Sequence, residues 1–261
     1  MPRFKLVIEY SGTRYSGWQI QKNARTVAGE IDRAVRDVTR REEFELYGAG
    51  RTDAGVHALA QVAHLELYTD MPPHTLRGRI NEALPSDIYV RRIDKAPHRF
   101  HARHDAEARS YLYQISRRKT AFFKPYVWWV KSSLDVARMR EAARPFVGMQ
   151  NFASFTVDEP GERSTKVLVD RLEVEEEGDL VLVRIVGSHF LWRMVRRIVG
   201  VLAAVGRGEL TAAQAAGFLD EDSDLPAALT APASGLFLEG VYYAGDEGPG
   251  PVRSVGFVGR A

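Results

Sequence analysis

The stretch GAGRTDAGVHALAQVAHLEL, residues 48 to 67, decides how the chain is read. Its first half is turn-forming. Glycines at 48, 50 and 55 surround Arg51 and Asp53, and an aspartate before Ala-Gly commonly caps a turn with its own side chain. Its last residues, QVAHLEL, alternate apolar and polar positions as a half-buried strand does. The residues from 42 to 48 also read as a strand, so the glycines join strand to strand. A nucleotide-binding GxGxxG or GxxxxGK[ST] would have to join strand to helix, and neither pattern occurs. ATP and NAD are therefore not expected as cofactors.

On the N-terminal side, residues 3 to 10 alternate, with Phe4, Leu6, Ile8 and Tyr10 on one face, and the polar turn SGTRYSG ends that strand. Thr26 caps a helix whose apolar stripe is Val27, Ile31, Ala34, Val35 and Val38. On the C-terminal side, a short helix over 75–83 stops before Pro85, and a strand follows over 88–93. A second series begins with RSYLYQIS, residues 109 to 116, and continues through VWWV and a helix over 134–144. Two strands over 166–177 and 180–186 follow, joined by EEEGD, which reads as a solvated hairpin tip and not as a metal site. A basic amphipathic helix over 190–205, a short helix over 211–219 and a strand over 236–243 come last.

Strands and helices are mixed in each half without strict β-α alternation. The expectation is therefore α+β with a largely antiparallel mixed sheet. We expect two similar halves sharing that sheet, with helices on one face and a central cleft. Residues 1–105 would carry the Asp53 loop, and 106–243 the tyrosine strand and the basic helix. The stretch 244–261, with five glycines and two prolines, is expected to be a flexible tail.

Composition narrows the function classes. At 261 residues, 45% hydrophobic and 27% charged, the chain can bury a core as one large domain or two modest ones. The absence of cysteine excludes disulfides, thiolate nucleophiles and cysteine-ligated zinc. MPRFKLVIEY does not read as a signal peptide, and the longest apolar run, near 198–205, is too short to span a bilayer. A soluble cytoplasmic protein is expected. The net charge of +2 hides an asymmetry, because residues 91–119 carry nine Lys/Arg against three Asp/Glu, leaving the rest net negative. Of 36 basic residues 29 are arginine, whose planar fork binds phosphate and stacks on bases. A GC-rich genome and solvated faces would produce the same excess; the interleaved aromatics tilt it towards nucleic acid.

Several groups could carry chemistry. Asp53 is either a turn cap or a presented carboxylate, and Arg51 either its partner or a phosphate ligand. His98, His101 and His104 are three apart, but that spacing lacks an accompanying carboxylate geometry, and four Lys/Arg lie from 95 to 109. No metal site is expected there. Ser-His-Asp and GxSxG arrangements are absent. Tyr111 and Tyr113 share one strand face, so one can serve the core while the other meets a base. In FLWRMVRRIVG, residues 190 to 200, a helix would set Arg193, Arg196 and Arg197 on one side, either as an outer basic face or with one arginine turned inward to hold a carboxylate ionised.

AGRTDAGVHA followed by Gln61 resembles the signature of the tRNA pseudouridine synthase A family. YSGTRYSGWQIQ at 10–21, LPSDIYV at 84–90, FHARHDA at 100–106, ARSYLYQI, FLWRMVRRIVG and TAPASGLFLEGV at 230–241 are similar to further segments of that family, in order. Arg193 stands where many members carry His or Asn, and Trp192 is also unusual. The resemblance implies an isomerase that detaches uracil, rotates it and rejoins it through carbon 5, at positions 38, 39 and 40 of the tRNA anticodon stem-loop. It implies no cofactor or metal, a homodimer, and RNA held in the central cleft. Asp53 matches the catalytic aspartate, Arg196 the arginine that keeps it ionised, and Tyr111 the tyrosine that packs against uracil. Arg51, His57, Arg103, Arg193 and Arg197 are the candidate RNA contacts, with Arg51 matching the position that stabilises the vacated stack. A non-catalytic RNA-binding protein, an RNA-cleaving enzyme using His57 and Asp53, and a related synthase with another RNA target are the alternatives.

Overall fold

The computed structural model describes residues 1–157 and 164–256. Their architecture is α+β, and antiparallel strand pairings predominate. The chain folds as two compact units, one of residues 1–107 with 237–247, the other of 108–236 with 248–261. Residues 237–243, expected in the second half, and 244–247, expected in the tail, thus belong with the first.

In the first unit, β1 (Arg3–Tyr10) lies antiparallel between β3 (His57–Glu66) and β4 (Ile88–Ala96). The short β2 (Glu45–Gly48) pairs antiparallel with β3 through Tyr47 opposite His64. The chain's last strand, β10 (Leu236–Tyr243), returns to lie parallel to β3, with Phe237 opposite His57. Alternation along β1 buries Phe4, Leu6, Ile8 and Tyr10 and leaves Glu9 exposed, as the period of two requires. α1 (Val27–Thr39) starts where Thr26 Oγ1 accepts from Gly29 N at 3.2 Å and buries Val27, Ile31, Ala34 and Val35. α2 (Pro73–Ala83) packs on α1 and on β4. Asn81 ties α2 to that edge strand, donating to Val90 O at 2.9 Å and accepting from Val90 N at 2.8 Å.

In the second unit, β5 (Ala106–Ser116), β9 (Leu180–Gly187), β8 (Lys166–Glu177) and β7 (Gly148–Asn151) form an antiparallel series, and β6 (Trp128–Trp129) runs parallel to β5. α3 (Val136–Ala143) and the apolar α4 (Met194–Gly206) pack on each other, with α5 (Ala212–Gly217) and α6 (Leu225–Ala228) beside them. β7 and α6 escape the sequence reading because four residues are too few to show a period. The acidic hairpin tip is bound by arginines: Arg117 meets Glu176 and Arg118 meets Asp179, both at 2.7 Å.

Residues 248–256, part of the expected flexible tail, are held by packing that composition does not foretell. Val252 and Val255 lie on a buried cluster of Leu112, Val127, Leu180 and Leu182. Val255 N donates to Gln114 Oε1 at 2.6 Å, and Arg184, 2% exposed, donates to Gly250 O at 2.6 Å. The glycines and prolines are used to lay an extended strip on a sheet face. Residues 257–261, the end of that tail, lie outside the described residues.

Candidate active site

The loop between β2 and β3 carries Arg51, Thr52 and Asp53, and the segment after β1 holds it from below. Tyr10 and Thr52 share a hydroxyl hydrogen bond of 2.8 Å, and Trp18 N donates to Thr52 O at 3.1 Å. Gln61 Nε2 reaches back from β3 to Gly50 O at 3.0 Å. Val56 N donates to Asp53 O at 3.2 Å, closing the turn. Thr52 therefore points inward and is buried, Arg51 is exposed, and Asp53 between loop and solvent is half-buried.

Two glycines permit this fit. Gly17, at φ +92°, passes so close that a Cβ on it would stand 2.5 Å from Thr52 O. The Trp18 indole fills the place where a Gly48 Cβ would be, 2.5 Å from its Nε1. Gly48 thus serves internal packing. The YSGTRYSGWQ segment is the underside of the Asp53 loop.

In the second unit, Tyr111 on β5 is half-buried with its ring edge-on to Phe190, centroids 5.1 Å apart. Tyr113, two residues on, is fully buried and donates to Pro232 O at 2.7 Å, and burial pushes its phenol pKa upward. Of the two, Tyr111 keeps exposed surface, as the pairing of one core ring and one presented ring anticipates. Arg196 is half-buried on the first turn of α4. Its Nε donates to Ala231 O at 2.7 Å, while Ala231 N donates to Arg196 O at 3.0 Å.

The family model described as tRNA pseudouridine synthase matches residues 6–105 and 142–244. The chain belongs to the tRNA pseudouridine synthase family. Membership makes it an isomerase acting on uridine in tRNA. Among its relatives, the tRNA pseudouridine synthase A of Pseudothermotoga lettingae is 37% identical over 92% of this chain and 99% of its own. Those of Brucella ovis and Brucella canis are 39% identical over 94% of this chain and 99% of theirs. A chain of a solved Cbf5-Nop10-Gar1 complex superposes at TM-score 0.37 and 13% identity over 77% of this chain and 45% of its own.

Against the synthase signature, the structure sorts the candidates. Asp53 and Arg51 share one loop of the first unit, and Tyr111 and Arg196 belong to the second. Arg103 is exposed in the turn after β4. His57 is not. It is 1% exposed, its Nδ1 accepts from Gly12 N at 3.0 Å, and its ring stacks on Phe237 with centroids 4.8 Å apart. An imidazole so used is a packing residue, which also removes the acid-base partner of the RNA-cleaving alternative. Arg197 is likewise turned inward, 5% exposed, donating to Ser154 O at 3.2 Å and to Thr156 O. Burial, with Arg193 nearby, lowers its pKa. The three arginines therefore do not share one outer face: Arg193 is exposed and precedes the helix, Arg196 is half-buried, and Arg197 is core.

Of the histidines of HRFHARH, His101 organises the turn, while His98 and His104 are exposed. His101 Nδ1 accepts from Arg103 N and His104 N, both at 3.2 Å, and its ring meets His64 at 4.8 Å and His104 at 4.2 Å. His64, opposite Tyr47 in the sheet, accepts from Ala102 N at 3.1 Å, and no motif in the sequence marks it. Among the described residues no group of three or more His, Asp or Glu is arranged to hold a metal ion, and no helix is long and apolar enough to cross a membrane.

Proposed function

We propose that this synthase converts uridine to pseudouridine at positions 38, 39 and 40 of the tRNA anticodon stem-loop, with Asp53 as its catalytic carboxylate. The observation that carries the proposal is the construction of the loop. Thr52 and Gly50 are bound on their inner side, so the backbone is fixed while Asp53 is presented from it. A loop held by rigid strands is where a reacting group is best positioned.

The reaction breaks the bond from ribose C1′ to uracil N1, forms one from C1′ to C5, and releases the C5 proton while N1 takes one up from solvent. Asp53 serves either by attacking the nucleotide or by removing a proton, and both roles need it ionised. Arg196 is the cation proposed to keep it so, because burial of a carboxylate alone raises its pKa. Tyr111 packs against the uracil. Arg51 fills the stack the uridine leaves, whose opening costs a few kcal/mol. Arg103 and Arg193 are exposed and contact phosphate. The protein acts as a homodimer in the cytoplasm and needs no cofactor.

Tritium release from tRNA labelled at uracil C5 tests this directly. Wild type should release tritium mapped to the anticodon stem-loop, and Asp53→Ala should bind the same tRNA and release none. Release by Asp53→Ala at the wild-type rate, or wild-type release only from another part of the tRNA, would overturn the assignment.

A further inference from the structure

The turn that precedes α4 presents a tryptophan to solvent. Met194 N donates to Leu191 O at 3.1 Å, closing a turn with Trp192 and Arg193 at its centre, and Arg193 takes φ +62°. The start of the segment is anchored: Arg109 Nη1 donates to Ser188 O at 2.7 Å, and Ser188 N donates to Leu168 O at 3.0 Å. Trp192 is nevertheless 52% exposed, and the Arg193 guanidinium lies over its ring at 5.2 Å from the centroid. Two residues before it, Phe190 packs on Tyr111.

An indole that far in water loses the burial that makes tryptophan worth having. A fixed backbone makes it a platform and not a fluctuating side chain. Its immediate neighbours select the partner, for residues 188–198 contain no carboxylate and the exposed Arg193 lies on the ring itself. A flat aromatic surface with a cation on it, in a stretch without negative charge, complements a base with its phosphate. The other faces of a base inside a helix are already covered, so the base must be unpaired.

We infer that Trp192 is a stacking residue for an unpaired nucleotide flanking the reacting uridine, with Arg193 neutralising that nucleotide's phosphate. The inference rests on the proposed function for its substrate. It makes Trp192 a positioning residue for RNA, in a place where the sequence departs from the family pattern. Stacking is indifferent to base identity, because every base has a π-face. The interaction therefore fixes where the RNA sits without reading its sequence.

The test measures affinity of the full chain for an anticodon stem-loop RNA and for a set in which each loop nucleotide in turn is abasic. Trp192→Ala should bind the intact RNA about 5- to 100-fold more weakly, and Trp192→Phe should restore most of the loss. At one loop position, removing the base should weaken wild type by a similar factor and leave Trp192→Ala unaffected, while exchanging that base for any other should change little. Melting temperature should not move. Equal binding by wild type and Trp192→Ala would overturn the inference, as would additive losses at every position. Lowered self-association on sedimentation with unchanged RNA affinity would also overturn it, placing Trp192 against a second copy of the chain. Tritium release by wild type separates these results from failure of the reading itself: without release from any tRNA, the proposed substrate and the inference fall together.

Discussion

His64 shows how one side chain couples the fold to pH. It is 1% exposed, and its pKa is lowered to about 4, first by burial and then by Arg3 and His101, against a smaller opposing effect of Asp105. An imidazole whose folded pKa lies below its unfolded value near 6.5 stabilises the protein fully above pH 6.5 and loses that stabilisation as pH falls towards 4. Its accepted hydrogen bond from Ala102 N is what protonation removes. Urea midpoints measured between pH 7.5 and 4.5 should fall, and His64→Gln should flatten that dependence. This residue contributes up to roughly 3 kcal/mol over the window. An unchanged slope in His64→Gln would assign the acid sensitivity to other groups.

At the scale of elements, the start of α4 is electrostatically unfavourable. Arg193, Arg196 and Arg197 lie at the positive end of the helix dipole, and no acidic residue stands in the first turn. Arg193 also holds a left-handed conformation that costs a non-glycine residue about 1 kcal/mol and that asparagine tolerates better. Arg193→Asn should therefore raise the thermal midpoint, corresponding to about 1 kcal/mol, and weaken RNA binding. A lowered midpoint by calorimetry would show that the guanidinium over Trp192 contributes more than the backbone and dipole cost. Further along, α4 meets the loop of residues 229–231 so closely that a Cβ on Gly200 would stand 1.8 Å from Leu229 O. That close approach, with Arg196 bound to Ala231, fixes the helix against the loop and explains why residue 200 is glycine.

At the scale of the whole molecule, the C-terminal strip matters most to the second unit. Arg184 gives hydrogen bonds to Gly250 O and Pro251 O, and Glu177 accepts from Ser254 N and Oγ, both at 2.8 Å. Ending the chain after residue 247 uncovers Leu112, Val127, Leu180 and Leu182 and takes two acceptors from a buried guanidinium. The truncated protein should lose roughly 3 kcal/mol in urea unfolding, with the loss confined to the second unit in hydrogen exchange. A midpoint equal to wild type would mean the strip contributes no net stability.

The sequence alone determined the alternating strands, the Thr26-capped helix and the turn that carries Arg51 and Asp53 between two strands. Each of these is a local matter of periodicity, capping or turn chemistry, settled within ten or so residues. Which polar groups face inward was not legible. His57 and Arg197 read as RNA ligands because charge and ring nitrogen suggest solvent, yet each is buried by partners distant in the chain, Phe237 for the one and Ser154 and Thr156 for the other. The same holds for β10 joining the first unit and for residues 248–256 lying on the second. Glycine, proline and arginine permit many placements, and only long-range packing chose among them.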